Sequence, residues 1–517
     1  MYAFAAGLLL VMFLVTIVGT GFLVWQNPKA QGWVMLKMLH QGLKEPGQVP
    51  AEPRLSKAES ARLLTKTSHL HTAEDLFQAT NVWDVELRFS SEQWAALGPK
   101  PVRPVVHFFQ PDGSVILRNP NATRNGLAGV FGIDFPWSAA DLQFADLQFH
   151  HIGVRFKGNG TFVDSQRSYK RPFKIELNKY TKGLRLAGLK TLNFHNLVAD
   201  ASCLRDTMGY ELFREAGVPA SRTGFIRLRM SVEGSFNDGL LGLYVLVENP
   251  DAQWARSQFG IDGVPLFKPV TYDLFLDLGE DWTAYKGIYD PKTTVNSSQT
   301  GRLIALCKLV THASDPEFAA GITSFVDVEE FATFLACQVV LSNYDGPLSD
   351  GQNFLMYLDP RQEKFGFVPW DLDHSWGEFK FLASDRQREQ ASVWHPWVGH
   401  NRFLERMLKV PAVRESYGRE LDRIRNTLFV PERLCRRLDE LTEVVRPFVT
   451  EESSHRLARF IQETSETPET IVAGSMRTNT RPQGYSFRRF VYARAAAIDQ
   501  QLQSGDKGVI LKRRNGD

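Results

Sequence analysis

The chain of 517 residues has little cysteine and almost no net charge. Its four cysteines lie far apart and form no C-x-x-C pair, which argues against a zinc knuckle or a disulfide scaffold. We therefore expect each cysteine to be buried and to act as a small apolar side chain. A formal net charge of +2 excludes the broad basic surface of a dedicated DNA- or RNA-binding protein. Disorder is excluded as the main state because 36 Phe, 11 Trp and 13 Tyr supply ample apolar surface for a core.

Charged residues are also missing from positions 3–25. A helix of this length is sufficient to cross a hydrocarbon core about 30 Å thick. No basic residue precedes the run, so it predicts an uncleaved single-pass membrane anchor rather than a cleaved signal peptide. Prolines between 45 and 60 predict an extended tether behind the anchor. Three lysines follow the run, Lys29, Lys37 and Lys44. Because positively charged flanks tend to stay in the cytoplasm, they slightly favour a cytoplasmic location for the rest of the chain.

Hydrophobic periodicity divides the remaining chain into a strand-rich part and a helical part, which predicts an α+β fold. Beyond residue 248 the pattern is helical apart from one hairpin at 353–370, and one helix at 202–216 interrupts the strands. Period-two alternation predicts strands near 85–89, 105–109, 153–156, 173–177, 224–230 and 242–248. We therefore predict an anchor at 1–26, a juxtamembrane segment and tether at 27–75, a strand-rich lobe at 76–250, a helical lobe at 251–505 and a tail at 506–517.

Polar residues that suit metal chemistry concentrate around the predicted hairpin. A helix capped at Asp327 leads into a polar loop, and the return strand ends in Trp-Asp-Leu-Asp at 370–373. The hairpin should bring Asp371 close to Asn353, because paired strands lie about 4.8 Å apart. Asp371 and Asp373 are two residues apart and should point the same way, where they would be desolvated unless a cation compensates them. Carboxylate and amide oxygens are the ligands that Mg²⁺ prefers.

Several ordered motifs resemble the spore coat protein H (CotH) kinase family of atypical protein kinases. The similarity spans roughly residues 80–505 and implies a two-lobed, protein-kinase-like fold with a strand-rich N-lobe and a helical C-lobe. The motifs that carry it are Asn343-Tyr-Asp345-Gly, Asn353, Pro369-Trp-Asp371-Leu-Asp373-His-Ser-Trp-Gly377, Arg155-Phe-Lys-Gly158-Asn159-Gly160, Lys170-Arg-Pro-Phe-Lys174-Ile-Glu-Leu, Leu204-Arg-Asp206 and Gly242-Leu-Tyr-Val-Leu-Val-Glu248.

The resemblance implies transfer of phosphate from ATP to Ser or Thr hydroxyls of a protein substrate, with Mg²⁺ or Mn²⁺. Asp345 matches the family's catalytic aspartate, which would orient the acceptor hydroxyl and receive its proton. Asp350 competes for that role, because the loop before Asn353 is a few residues longer than the family pattern. Asn353 and Asp371 would hold the metal, with Asp373 as a second ligand or as support.

The strand-rich part would supply the ATP contacts that the resemblance implies. Lys174 is the preferred phosphate ligand, with Lys170 as the alternative; by itself, a lysine on a half-buried strand more commonly marks a solvated face. Glu211 or Glu215 would hold Lys174, although a surface ion pair with a neighbouring arginine fits either glutamate equally well. Two further features complete the expected ATP site, a flexible turn over the phosphates at Gly158-Asn159-Gly160 and a hinge at Glu248 whose backbone meets the adenine.

Two other function classes stay open at this point. A catalytically silent envelope protein would use the same fold for structure or assembly, and the altered loop between Asp345 and Asn353 leaves room for it. A metal-dependent hydrolase would also suit an Asp/Asn cluster. The hydrolase is disfavoured because no histidine pair accompanies the cluster, and His374 is predicted to be structural.

Overall fold

The structure, a computed structural model, describes residues 46–102, 119, 121–125, 129, 132–165, 167–271, 273–349, 351–380, 382–465 and 485–512. The predicted anchor at 3–25, the predicted strand at 105–109 and Asp350 lie outside the described residues. Within the described ranges, no helix combines the length and the apolar character needed to cross a membrane.

Seven strands form a closed barrel in the order β1-β4-β5-β6-β7-β9-β8. Neighbouring strands are antiparallel except for β1 and β8, which run parallel from Val82 opposite Phe225 and close the barrel. A separate pair, β2 and β3, covers Lys100–Pro101 and Ile133–Asp134. The barrel strands are β1 (Val82–Phe89), β4 (Ser138–Phe144), β5 (Leu147–Phe156), β6 (Phe173–Glu176), β7 (Thr191–His195), β8 (Thr223–Val232) and β9 (Phe236–Glu248).

The barrel interior is a separate apolar core, built from alternate residues of each strand. On β6, Phe173 and Ile175 are fully buried in this core while Lys174 lies on the opposite face. This arrangement follows from the two-residue period of a strand. The predicted α+β class and the predicted direction of Lys174 are therefore confirmed, whereas closure of the strands into a barrel was not predicted.

A second, larger core joins the outer faces of β8 and β9 to the helices. It encloses a three-stranded sheet of β10 (Leu266–Phe267), β11 (Phe354–Asp359) and β12 (Lys364–Pro369), which contains the predicted hairpin. The α-helices are α1 (Lys57–Leu63), α2 (Ala73–Leu76), α3 (Ser91–Leu97), α4 (Gly160–Asp164), α5 (Arg205–Ala216), α6 (Ala252–Phe259), α7 (Trp282–Tyr289), α8 (Ser297–His312), α9 (Asp315–Gly321), α10 (Val328–Val340), α11 (Asp385–Glu389), α12 (Arg402–Lys409), α13 (Pro411–Thr427), α14 (Pro431–Glu452), α15 (Ser454–Thr464) and α16 (Phe487–Ser504).

Helix α14 ties the start of the described chain to the barrel. Its penultimate residue, Glu451, accepts hydrogen bonds from the Arg227 guanidinium of β8 at 2.7 and 2.8 Å. The same carboxylate accepts the backbone N–H groups of Arg54 and Leu55 at 2.8 and 3.0 Å. Residues 54 and 55, within the segment predicted as an extended tether, therefore contact α14, and helix α1 follows directly.

Helix α5 is buried on most of its surface. Arg205 and Asp206 are fully buried although they are charged, and Glu215 is exposed. The periodicity of apolar residues does not predict the burial of charged side chains that are paired with other residues. The four cysteine thiols are free and buried, as predicted.

Candidate active site

The hairpin β11–β12 brings Asn353 and Asp371 together at one end of the small sheet. Phe354 pairs with Pro369, and the N–H of Trp370 donates to the carbonyl of Asn353 at 3.1 Å. Asn353 and Asp371 both have a left-handed backbone, with φ of 57°, a conformation that Asn and Asp tolerate better than most residues. The sequence prediction that this hairpin brings the two side chains into one region is confirmed.

Asp345 is fixed beside this pair by the loop that precedes β11. The amide nitrogen of Asn353 donates to the backbone carbonyl of Asp345 at 2.8 Å and to its Oδ2 at 3.0 Å. Asp345, Asp373 and His374 place ligand atoms within 4.8 Å of one another. The loop and the hairpin therefore form one acidic centre, defined here as Asp345, Asn353, Asp371 and Asp373.

Helix α5 supports the acidic centre from behind. Asp206 accepts the backbone N–H of Leu372 at 2.8 Å, and the Tyr210 hydroxyl accepts that of Asp371 at 3.0 Å. The two side chains are four residues apart, so they share one face of the helix. Between them, Gly209 allows the chain to approach closely, since a Cβ there would lie 2.9 Å from Cδ1 of Leu372 and 3.3 Å from its Cβ.

Gly209→Ala is expected to lower activity without unfolding the protein. Its new methyl group would displace Leu372, which lies between Asp371 and Asp373, and overpacking of this kind costs about 1–3 kcal/mol. A displacement near 1 Å in a catalytic constellation can reduce a rate by about 10²-fold. Gly301→Ala on α8 is the matched control, because nothing lies within 4 Å of its added Cβ, and it should retain full activity. Equal phosphotransfer rates in the two variants would contradict this assignment.

Asp373 is buried, Asp345 and Asp371 are half-buried, and their carboxylates crowd one another. Burial raises the pKa of Asp373 well above its ordinary value, and the charges of Asp371, Asp206 and Asp345 act in the same direction. Burial also acts to raise the pKa of Asp371, but the electrostatic effects of His195 and of the Lys157 ammonium outweigh it and lower that pKa. A bound divalent cation would relieve the crowding, and the oxygen donors present are the type that Mg²⁺ and Mn²⁺ take.

His374 adjoins the acidic centre, where its ligand atom lies within 4.8 Å of those of Asp345 and Asp373. Its Nδ1 lies 2.6 Å from Oε2 of Glu378. Burial would lower the pKa of the ring, but Asp373 and Glu378 raise it to about 10. His374 is thus a cation at neutral pH, which balances part of the acidic charge.

Two lysines missed as individual site residues lie near Trp370, the residue that precedes Asp371. The ammonium nitrogens of Lys157 and Lys268 lie 5.5 and 5.6 Å from the Trp370 ring centroid. Burial lowers the pKa of both, to about 8 for Lys268, while the Asp371 carboxylate acts to raise each. Lys157 follows β5 in the barrel and Lys268 follows β10. The barrel and the small sheet therefore each place one lysine near the acidic centre.

A sequence profile of the family described as CotH kinase protein matches residues 154–472, more than half of the chain. The chain belongs to the CotH kinase protein family. The predicted resemblance is thereby confirmed, over a shorter range than 80–505. Inner spore coat protein H of Bacillus subtilis (strain 168) is 25% identical over 269 residues, which cover 51% of this chain and 69% of that protein.

In this CotH family member, the predicted phosphate lysines occupy different surroundings. Lys174 donates to Oδ1 of Asn249 at 3.0 Å. Burial, together with the charges of Arg155 and other neighbouring cations, lowers the pKa of Lys174 to about 7. Lys157 is one of these cations, so Lys174 is close to it. Lys170 instead forms an ion pair with Glu452 at 2.6 Å, in the junction between the barrel and α14.

The expected glutamate partner of Lys174 does not form an ion pair with it among the described residues. Glu211 pairs with Arg437 at 2.7 Å, and Glu215 pairs with Arg433 at 2.8 Å. Both arginines belong to α14. The periodicity of α5 did not show that its buried face carries Asp206 toward the site.

Two other predicted ATP contacts also differ in structure. The flexible turn predicted at Gly158-Asn159-Gly160 leads directly into helix α4, which begins at Gly160, and Arg124 donates to Gly158 O and Asn159 Oδ1 at 2.8 Å each. Glu248 ends β9 as predicted, but its N–H donates to the carbonyl of Arg222 at 3.0 Å. Its carboxylate is paired with the Arg222 guanidinium at 2.5 and 2.9 Å. The Glu248 N–H is therefore not free to bind adenine.

Proposed function

We propose that this CotH family protein is a protein kinase that transfers the γ-phosphate of ATP to Ser or Thr hydroxyls of protein substrates, using Mg²⁺ or Mn²⁺. The observation that carries the proposal is the acidic centre together with Lys157 and Lys268, whose ammonium groups lie near Trp370, the residue that precedes Asp371. The family description, CotH kinase protein, supports the same reaction. In this proposal the barrel and the helical part act as the two lobes of a kinase-like catalytic unit.

The residues of the acidic centre divide the chemistry between them. Asn353, Asp371 and Asp373 would hold the metal through oxygen atoms. When bound, the metal neutralises charge on the phosphate oxygens, which is the main electrostatic requirement of phosphoryl transfer. Lys157 and Lys268 would bind those oxygens from the opposite side, with Lys174 close behind them.

Asp345 would act on the protein acceptor. Its carboxylate orients the Ser or Thr hydroxyl and receives the hydroxyl proton. The acceptor oxygen forms a bond to the γ-phosphorus, the bond from that phosphorus to the β–γ bridging oxygen breaks, and ADP leaves. The contacts from Asn353 hold the Asp345 carboxylate in place.

Membrane attachment through residues 3–25, with a slight preference for a cytoplasmic body, completes the proposal. The anchor is argued from its uncharged sequence alone. The relative in Bacillus subtilis is named for the inner spore coat, and we propose no nucleic-acid partner for this chain. The protein substrate is not specified by the acidic centre, because acceptor choice depends on other surfaces.

Full-length protein in detergent, incubated with [γ-³²P]ATP and Mn²⁺, is expected to label itself or a generic acceptor on Ser or Thr. Asp345→Asn should slow labelling by about 10²-fold, the usual contribution of a general base, whereas Asp350→Asn should remain within about threefold. The reverse result would assign the base role to Asp350. No labelling, together with no ATP binding by calorimetry, would favour the silent envelope protein.

A further inference from the structure

His195 lies between two carboxylates at the end of β7. Its Nδ1 is 2.8 Å from Oδ2 of Asp206 and 3.7 Å from Oδ1 of Asp371. The side chain is buried, with 7% of the residue exposed. Because both neighbours are acceptors, Nδ1 must carry the proton that is donated to Asp206.

The ring is held from several sides. The backbone of His195 is paired with that of Val245 in the barrel, and the imidazole packs edge-on against Trp370 at a centroid distance of 5.9 Å. Among the described residues, Nε2 is buried and has no hydrogen-bond partner. The unpartnered Nε2 indicates that the ring orientation is set by the contacts at Nδ1.

The same carboxylate of Asp206 also holds the metal-ligand loop. Its second oxygen, Oδ1, accepts the N–H of Leu372 at 2.8 Å. Without the imidazole, Asp206 would lose the donor that lies between it and Asp371, and the like charges of the two carboxylates would repel. Asp371 would then turn away from the acidic centre.

We infer that His195 is a positioning residue, which holds the Asp371 carboxylate, directly and through Asp206, in the orientation that binds the divalent metal. This inference rests on the proposed function. Residues that orient a metal ligand commonly change metal affinity by about 10–100-fold when they are replaced. His195 belongs to the barrel, so it couples the barrel to the metal ligands of the helical part.

The test compares two amides of different reach in the full-length protein. Asparagine places its side-chain N–H near the position of Nδ1, while glutamine extends toward that of Nε2. Mn²⁺ binding is followed by electron paramagnetic resonance with a non-hydrolysable ATP analogue. We expect His195→Gln and His195→Leu to raise the Mn²⁺ Kd at least about tenfold, and His195→Asn to stay within about threefold of wild type.

Controls separate a positioning role from general damage. His150→Leu also removes a His–Asp contact, at 3.0 Å on the exposed barrel surface, and should bind Mn²⁺ as wild type does. In the His195→Gln protein, the Mn²⁺ concentration for half-maximal activity should rise while kcat at saturating Mn²⁺ stays within about threefold. Should His195→Leu fail to fold, His195→Gln provides the measurement.

Two outcomes would overturn the inference, and only the second would also contradict the proposed function. Wild-type Mn²⁺ affinity in His195→Gln would overturn the role of His195 alone. Absence of nucleotide-dependent Mn²⁺ binding in the wild-type protein would overturn the proposed function together with it.

Discussion

Asp371→Asn is expected to reduce the phosphotransfer rate by at least about 10³-fold, a loss of about 4 kcal/mol in transition-state stabilisation. Interactions with His195, Lys157 and Lys268 lower the pKa of the Asp371 carboxylate. In the proposed site its side chain would supply formal negative charge to the metal, which an amide cannot replace. Asparagine tolerates the left-handed backbone at this position, so the variant should fold.

The rate loss in Asp371→Asn should be accompanied by loss of Mn²⁺ binding, because both effects have one cause. Asp359→Asn is the control, since Asp359 ends β11 at the other end of the same hairpin and accepts the N–H of Arg361 at 2.7 Å. The measurement is initial-rate labelling with [γ-³²P]ATP across a range of Mn²⁺ concentrations. Wild-type labelling by Asp371→Asn would remove Asp371 from the metal site.

Arg205→Met is expected to lower the free energy of unfolding by about 3–5 kcal/mol, the usual cost of breaking a buried ion pair from one side. Arg205 and Asp200 are completely buried, and Glu463 is 1% exposed. One guanidinium nitrogen lies 2.5 Å from Asp200 and 2.7 Å from Glu463. Methionine would fill similar space but leave two buried carboxylates without their cation.

The comparison for Arg205→Met is Arg419→Met, which removes an arginine of similar size from exposed ion pairs. Arg419 is 55% exposed and pairs with Glu415 and Glu329, so its loss should cost less than about 1 kcal/mol. Urea unfolding monitored by tryptophan fluorescence gives both values. Similar midpoints for the two variants would show that the buried group at Arg205 contributes little to stability.

Local patterns predicted the acidic part of the site well. A two-residue strand period and a short reversal place Asp371 beside Asn353, and both features are readable over a span of about twenty residues. The helix cap at Ser90 is equally local, since its side chain accepts the N–H of Gln93 at 3.1 Å. In each case the partners are close in sequence, so few alternatives compete.

The basic part of the site could not be predicted in the same way. Lys157 and Lys268 are separated by more than a hundred residues, and they meet at Trp370 only because the barrel closes and packs on the second core. Strand alternation showed which face Lys174 occupies but not which element covers that face. Asp206 and His195 were missed because buried charged partners interrupt an apolar pattern without leaving a pattern of their own.

The most direct test of the account is anomalous diffraction at the manganese edge from crystals of the full-length protein with Mn²⁺ and a non-hydrolysable ATP analogue. We predict a manganese peak among Asn353, Asp371 and Asp373, with the analogue's phosphates between that peak and the ammonium groups of Lys157 and Lys268. A peak away from these carboxylates, or phosphates that contact neither lysine, would contradict it.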